Sequence, residues 1–168
     1  SSRLSSATLL EDRRAAILGL RSFAKTYPAS VASGSLRDLI AVLRTDGLGL
    51  TKDGEGDVDT VRLVLETLLM LFEPDRESPE ASEDIALWLA DEFSQVAIMH
   101  KTYCLRETEQ VQRQDNITIL LDLLDQPDYY ARIYSIQLLT AISTARPERT
   151  QECILQAPLG TARLVGVL

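Results

Sequence analysis

His100 and Cys104 are the two residues of this sequence whose types and spacing best suit chemistry. Residues four apart share one face of a helix, where an imidazole and a thiol could hold a metal ion or act as base and nucleophile. A zinc site needs further ligands, and Cys153 lies far along the chain. Nucleophilic catalysis would need a cleft and an orienting group. The sequence therefore predicts no metal site, no cofactor and no enzyme.

Other residues that could do chemistry have simpler interpretations. Carboxylates crowd residues 53–92, but most lie in segments rich in proline and glycine, so we interpret them as a solvated surface rather than an acid–base pair. The glycines of residues 47–56 form no phosphate loop, because no Gly-Lys-Ser/Thr sequence accompanies them. Asn116 begins a glycosylation sequon, yet its place at a predicted helix start indicates an N-cap. Trp88 is interpreted as a core residue.

Composition sets the class of protein and excludes some partners. Apolar residues make up 45% of the 168 residues and aromatic residues only 5%, which favours helices packed through aliphatic side chains. A formal net charge of −8 argues against binding to nucleic acid or to anionic lipid. No apolar stretch approaches the roughly 20 residues of a membrane span, so no membrane insertion is expected. Two cysteines favour a reducing compartment, and the missing initiator Met indicates part of a longer protein.

Helical periodicity dominates the chain. Apolar residues recur at helical spacing, and prolines and glycines separate the segments. Ser82 is the expected N-cap of the fourth helix, and Pro147 is expected in the first turn of the seventh. Residues 96–110 have no clear pattern. The expected helices span about 8–27, 33–44, 58–72, 117–124, 129–144 and 159–168, and two more begin at Ser82 and at Pro147.

One helix core recurs along the chain. It reads LIAVL at residues 39–43, LLDLL at 120–124 and LVGVL at 164–168. The last two copies lie 44 residues apart, within the armadillo and HEAT range of about 40–47. Residues 153–160 fit the turn between the first two helices of an armadillo unit. The sequence thus predicts an all-α, armadillo/HEAT-like solenoid, since the alternative, a four-helix bundle, predicts no such recurrence.

Two arginines lie in similar surroundings in the long helices. Arg62 precedes a Leu-Leu pair by six residues, and Arg132 does the same. In one interpretation each arginine pairs with an acid of its own repeat and fixes helix packing. In the other, Arg62, Arg132 and Tyr130 line a surface that binds a partner, because arginine and aromatic residues often anchor interfaces.

Several segments together resemble one known family. They are DRRAAI at 12–17, LRSFAKTY at 20–27, LIAVLRTD at 39–46, RQDNITILLDLL at 113–124 and APLGTARL at 157–164. In these segments the chain is similar to the globular head of the general vesicular transport factor, a long coiled-coil tether of endoplasmic-reticulum-to-Golgi traffic. The resemblance covers most of the chain in order and would place it near the start of the head.

The resemblance implies a function that periodicity alone does not. It implies an armadillo-like head ahead of a dimerising coiled coil, on the cytosolic face of Golgi and transport-vesicle membranes. The implied partners are a Rab-type GTPase, SNAREs and other Golgi tethers, and the implied role is vesicle docking before fusion. A generic armadillo or HEAT adaptor outside membrane traffic is the alternative.

The stretch 96–110 departs from the family pattern. In the family, the helix that contains Phe93 leads almost directly into the segment that begins at Arg113, whereas about fifteen residues intervene here. A lineage insertion and a gene-model error both remain open. We predict that residues 1–168 are part of one armadillo-like head domain, with irregular connectors at about 45–57, 73–82 and 96–112.

Overall fold

The computed structural model describes residues 9–47, 56–73, 79–95, 97–100 and 111–167. Helices make up most of these residues, and two short strands lie between the fourth and fifth helices. The helices are α1 (Leu10–Ala24), α2 (Pro28–Gly47), α3 (Val58–Phe72), α4 (Pro79–Ser94), α5 (Asn116–Leu123), α6 (Tyr129–Ala145), α7 (Pro147–Gln156) and α8 (Gly160–Val165). The strands are β1 (Ala97–His100) and β2 (Val111–Gln114).

Aspartate side chains begin three of the helices. Asp57 accepts a hydrogen bond from the backbone N–H of Thr60 at 3.1 Å at the start of α3. At the start of α5, the Asp115 side chain accepts a hydrogen bond from the backbone N–H of Thr118, and at the start of α6 the Asp128 side chain accepts one from that of Ala131. Each carboxylate satisfies a backbone donor that the first helical turn leaves unpaired. Pro147 lies at the start of α7, as predicted.

The helices stack in three rows. Helices α1, α3 and α6 contact one another in that order and form one row, which we call the α1/α3/α6 layer. A second row contains α2, α5 and α8, and α4 contacts α7 in a third. The triplet α4–α5–α6 is therefore one complete armadillo-like unit, whereas the long α2 occupies the place of two helices. The prediction of an all-α armadillo-like solenoid is confirmed.

The recurring helix core lies in the second row. Leu39 and Leu43 of α2 and Leu120 of α5 are fully buried between the rows, and Leu164 of α8 packs against the same core. Because stacked repeats bury apolar faces that no single repeat can bury alone, this recurrence reflects one continuous core. Gly47 lies where α2 meets α5, and a Cβ there would come within 2.9 Å of Leu123 Cδ2.

Three local predictions are wrong. Helix α2 begins at Pro28 and α4 at Pro79, because proline suits the first turn of a helix. Ser82 therefore lies inside α4 and is not its N-cap. Asp115 caps α5 in place of Asn116, whose amide instead donates to Glu92 O at 3.1 Å.

The stretch with no clear pattern contains paired strands. Strands β1 and β2 are antiparallel, and Ala97 pairs with Gln114 at one end and His100 with Val111 at the other. This ribbon leaves and rejoins the solenoid between α4 and α5. Residues 101–110 lie outside the described residues, as do residues 48–55 and 74–78 of the other two predicted connectors.

Candidate protein-interaction surface

An ion pair joins α3 to the first turn of α6. Arg62 Nε donates to Asp128 Oδ2 at 3.0 Å, and Arg62 Nη2 donates to Oδ1 of the same carboxylate. Asp128 also accepts from the backbone N–H of Ala131 at 2.7 Å and so caps α6. The hydrogen bond from Arg62 lowers the pKa of Asp128 against the effect of burial, and the Ala131 bond adds to it. The arginine is thus fixed by two neighbouring helices.

The same contact occurs one repeat earlier in the layer. Arg14 Nε of α1 donates to Asp57 Oδ2 at 2.9 Å, and Arg14 Nη2 donates to Asp57 Oδ1. Burial would raise the pKa of Asp57, but the hydrogen bonds from Arg14 and Thr60 outweigh it and lower the pKa. Each arginine therefore binds the N-cap carboxylate of the next helix in the layer.

These caps correct the alignment of the two long helices. The N-caps Asp57 and Asp128 lie 71 residues apart, whereas Arg62 and Arg132 lie 70 apart. The same interval of 71 residues relates buried positions of the two helices. They are Thr60, Val64, Thr67, Leu68 and Leu71 in α3, and Ala131, Ser135, Leu138, Leu139 and Ile142 in α6. Arg62 and Arg132 are therefore not equivalent residues, and the predicted correspondence is wrong by one position.

Arg62 and Tyr130 lie together on the surface. The Arg62 guanidinium carbon is 5.1 Å from the centroid of the Tyr130 ring, which is cation–π distance. Tyr130 is 51% exposed, and its ring also lies 6.1 Å from that of Tyr134. Arg62 pairs both with Asp128 of the next repeat and with Asp59 of its own helix, whose Oδ1 lies 3.6 Å from Arg62 Nη1, so the predicted pairing with an acid of its own repeat is found beside a contact between repeats. The result is an arginine held in place beneath an exposed aromatic ring.

Arg132 is absent from this cluster. Within the described residues its side chain forms no ion pair, and its Nε is buried without a hydrogen-bond partner. The interpretation of Arg132 as half of a packing ion pair therefore stays a prediction. Of the three predicted partner-binding residues, the structure brings Arg62 and Tyr130 into contact and leaves Arg132 half-buried.

A groove lies beside the cluster, between α3 and α6. Its volume is about 510 Å³, and it is lined by Arg21, Glu66, Leu69, Met70, Phe72, Glu73, Tyr134, Gln137 and Ala141. The Glu66 side chain extends across the groove. Its carboxylate accepts a hydrogen bond from Tyr134 Oη at 3.0 Å and lies 2.8 Å from Arg21 Nη1. Burial and then the Glu66 hydrogen bond raise the pKa of Tyr134, so its hydroxyl remains a donor. Sequence patterns gave no signal for this groove, because its walls come from three separate helices.

The structure places only one of the two residues first considered for chemistry. His100 belongs to β1, and Cys104 lies outside the described residues. Burial raises the pKa of Cys153 to about 11, so its thiol stays protonated and unreactive at neutral pH. In the described part of the chain, no three His, Cys, Asp or Glu residues are grouped to hold a metal ion. Trp88, predicted to be core, is 37% exposed on α4.

The fold and this layer define an armadillo-like helical solenoid, and known proteins share it. The chain is similar to two solved structures, Uso1-1 and Uso1-2, with TM-scores of 0.73 and 0.72 and identities of 25% and 26%. In both cases 98% of this chain is covered, against 25% and 24% of the other chain. No protein-family model matches the chain.

Curated relatives identify the family. The chain is 35% identical to Golgin candidate 6 of Arabidopsis thaliana over 99% of its length, and 34% identical to the intracellular protein transport protein uso1 of Schizosaccharomyces pombe over 93%. It is 31% identical to the general vesicular transport factor p115 of Bos taurus over 99%. The chain spans 16% of the length of Golgin candidate 6, 12% of that of uso1 and 15% of that of p115. The chain belongs to the general vesicular transport factor family, as the sequence resemblance predicted.

Proposed function

We propose that this chain is a protein-interaction region in the head of a vesicle-tethering factor, acting in endoplasmic-reticulum-to-Golgi and intra-Golgi transport. Its role is to help dock vesicles before membrane fusion, and it catalyses no reaction. The similarity to named transport factors over 93–99% of the chain supports this proposal. The observation that carries the interaction role is the exposed Tyr130 ring over the fixed Arg62 guanidinium.

The proposed partners are a Rab-type GTPase, SNAREs and other Golgi tethers. In this proposal the complete protein is cytoplasmic, binds Golgi and vesicle membranes peripherally through these partners, and dimerises through a coiled coil. No helix in the described ranges is both long and apolar enough to cross a bilayer. The family resemblance and the acidic net charge of −8 support attachment through proteins rather than through anionic lipid.

The geometry gives the cluster suitable properties for an interface anchor. Aromatic and arginine side chains dominate binding hot spots because they bury much surface at a small entropy cost. Arg62 is held by the Asp128 carboxylate before any partner arrives, so little rotamer entropy remains to be lost on binding. Tyr130 then presents its ring face to a partner.

A capture experiment tests both parts of the proposal. Full-length protein is immobilised and offered Rab-type GTPases loaded with GTP or GDP, with Tyr130→Ala and Tyr129→Ala as matched variants. Tyr129 is 60% exposed next to Tyr130, but Arg62 stacks on the ring of Tyr130. We expect GTP-dependent capture that weakens about tenfold in Tyr130→Ala and less than about twofold in Tyr129→Ala. Absence of nucleotide-dependent capture rejects the GTPase, and equal losses in the two variants reject the role of Tyr130.

A further inference from the structure

The groove between α3 and α6 has an apolar floor at one end. Leu69 and Phe72 of α3 are half-buried and pack against the core, so the floor is anchored in the solenoid. Met70 and Ala141 line the same groove from opposite helices. An open, anchored apolar surface gains free energy when an apolar side chain covers it, because that surface leaves water.

The rim of this groove carries one carboxylate that has no partner in the described part of the chain. Glu66 is neutralised by Arg21 at 2.8 Å and accepts a hydrogen bond from Tyr134 at 3.0 Å. Glu73 is exposed at the end of α3, and its carboxylate has no ion-pair or hydrogen-bond partner among the described residues. A cation placed beside Glu73 would therefore displace no partner that belongs to the described residues.

Three arginines of this layer are already neutralised. Arg14 is bound to Asp57, Arg62 to Asp128 and Arg21 to Glu66. An acidic ligand would have to compete with these carboxylates, whereas a basic ligand would gain a contact without breaking one. The formal net charge of −8 acts in the same direction over longer range.

We propose that this groove docks a short peptide segment of a partner protein that carries one apolar anchor side chain and a lysine or arginine. The anchor lies between Met70 and Ala141, and the cation lies beside Glu73. The inference rests on the proposed function only in treating the α1/α3/α6 layer as an interaction surface. It concerns different residues from the Arg62–Tyr130 cluster.

Peptide selection tests this inference without reference to a GTPase. Random 12-residue peptides displayed on phage are selected on full-length protein, and selected peptides are measured by fluorescence anisotropy. Three variants are compared. Glu73→Lys reverses the rim charge, Ala141→Met fills the groove without a change of charge, and the control Glu83→Lys makes the same charge change at an exposed position of α4.

We expect selected peptides to combine an aliphatic or aromatic residue with Lys or Arg about one helical turn away. Their affinity falls about fivefold in Glu73→Lys, as for an exposed ion pair, and about tenfold in Ala141→Met. It stays within about twofold in Glu83→Lys. The Glu73→Lys loss also shrinks at high salt, whereas the Ala141→Met loss persists.

Several results would overturn the proposal. These are a failure to select any binding peptide, the selection of acidic peptides, and binding that is insensitive to Glu73→Lys and Ala141→Met. A change in the sedimentation of the protein alone in these two variants would instead assign the groove to a second copy of the chain. Loss of Rab capture in Tyr130→Ala with unchanged peptide binding would separate this groove from the Arg62–Tyr130 cluster.

Discussion

In the α1/α3/α6 layer, the step from α1 to α3 and the step from α3 to α6 are joined by the same arginine–aspartate contact, with one difference. Arg14 and Arg62 each lie five residues after the N-cap position of their helix, and each binds the capping aspartate of the next helix. The difference lies two residues after that aspartate. Asp59 occupies this position at the first step, with its Oδ2 3.5 Å from Arg14 Nη2, and Tyr130 occupies it at the second.

The arginine–aspartate contact is structural, whereas the residue two positions after the aspartate is a feature of the surface. The arginine–cap contact occurs at both steps, so it sets the spacing of neighbouring repeats wherever it is found. An aromatic ring over the arginine occurs only at the second of these two steps. Tyr130 rather than Arg62 therefore distinguishes the surface to which we assign partner binding.

Removal of a capping aspartate should have the largest effect on stability. We expect Asp128→Ala to lower the free energy of unfolding by about 2 kcal/mol, the upper end for an N-cap, because it also removes the nearest acid of Arg62. Asp57→Ala should have a similar cost, since either arginine then keeps only Asp59, at 3.5 Å from Arg14 and 3.6 Å from Arg62. Urea denaturation measures both. A change within about 0.5 kcal/mol, as expected for exposed Asp84→Ala, would mean that the cap contact does not hold the repeats together.

Acid should weaken the same two caps by titration. The folded-state pKa values of Asp57 and Asp128 are lowered, so their stabilisation is present above the unfolded value of about 3.9 and is lost as pH falls through the folded pKa. Asp46 acts in the opposite direction, because burial raises its pKa despite Arg13, and its contribution to stability increases as pH falls.

Urea midpoints between pH 3 and pH 6 distinguish these contributions. Asp128→Asn should flatten the loss of stability below about pH 4, whereas Asp46→Asn should steepen it. Identical acid slopes in the two variants would contradict the assigned directions of the pKa shifts.

An exchange at the position two residues after the capping aspartate should affect partner binding and leave the free energy of unfolding unchanged. Tyr130→Asp gives the second step the residue found at the first, and we expect the free energy of unfolding to change by less than about 0.5 kcal/mol because the site is exposed. Partner capture by the full-length protein should fall about tenfold. The change Asp84→Tyr at an exposed position of α4 serves as control and should leave capture unchanged. A stability loss comparable to that of Asp128→Ala would make Tyr130 a structural residue.

The sequence predicts how the helices of this fold stack better than it predicts where each helix begins. Helix α3 was predicted at 58–72 and is found there, because a capping aspartate precedes an apolar stripe of the right period. Rows of helices follow from a recurring core that any stacked repeat must bury. The starts of α2 and α4 were missed because prolines that read as breaks are their first residues. Strands β1 and β2 were missed because they pair only with each other, across ten intervening residues.

The candidate surface was predicted in part. Arginine and aromatic residues in successive long helices indicated Arg62 and Tyr130, and the structure places them in contact. Which acid Arg62 binds could not be read from the sequence, because Asp128 is 66 residues away and many acids lie nearer. Arg132 was misaligned because a Leu-Leu pair fits two registers one residue apart, and only the caps and buried positions distinguish them.

Arg132 provides the smallest and sharpest test of that alignment. Its buried Nε lacks a hydrogen-bond partner in the described structure, and an unsatisfied buried donor costs free energy. We expect Arg132→Met, which keeps the side chain as far as the position of Nε and removes the donor, to raise the free energy of unfolding by about 1 kcal/mol. Partner capture by the full-length protein should stay within about twofold of the wild type. If stability instead fell as in Asp128→Ala, Arg132 would be a paired residue equivalent to Arg62, and the register of 71 residues would be wrong.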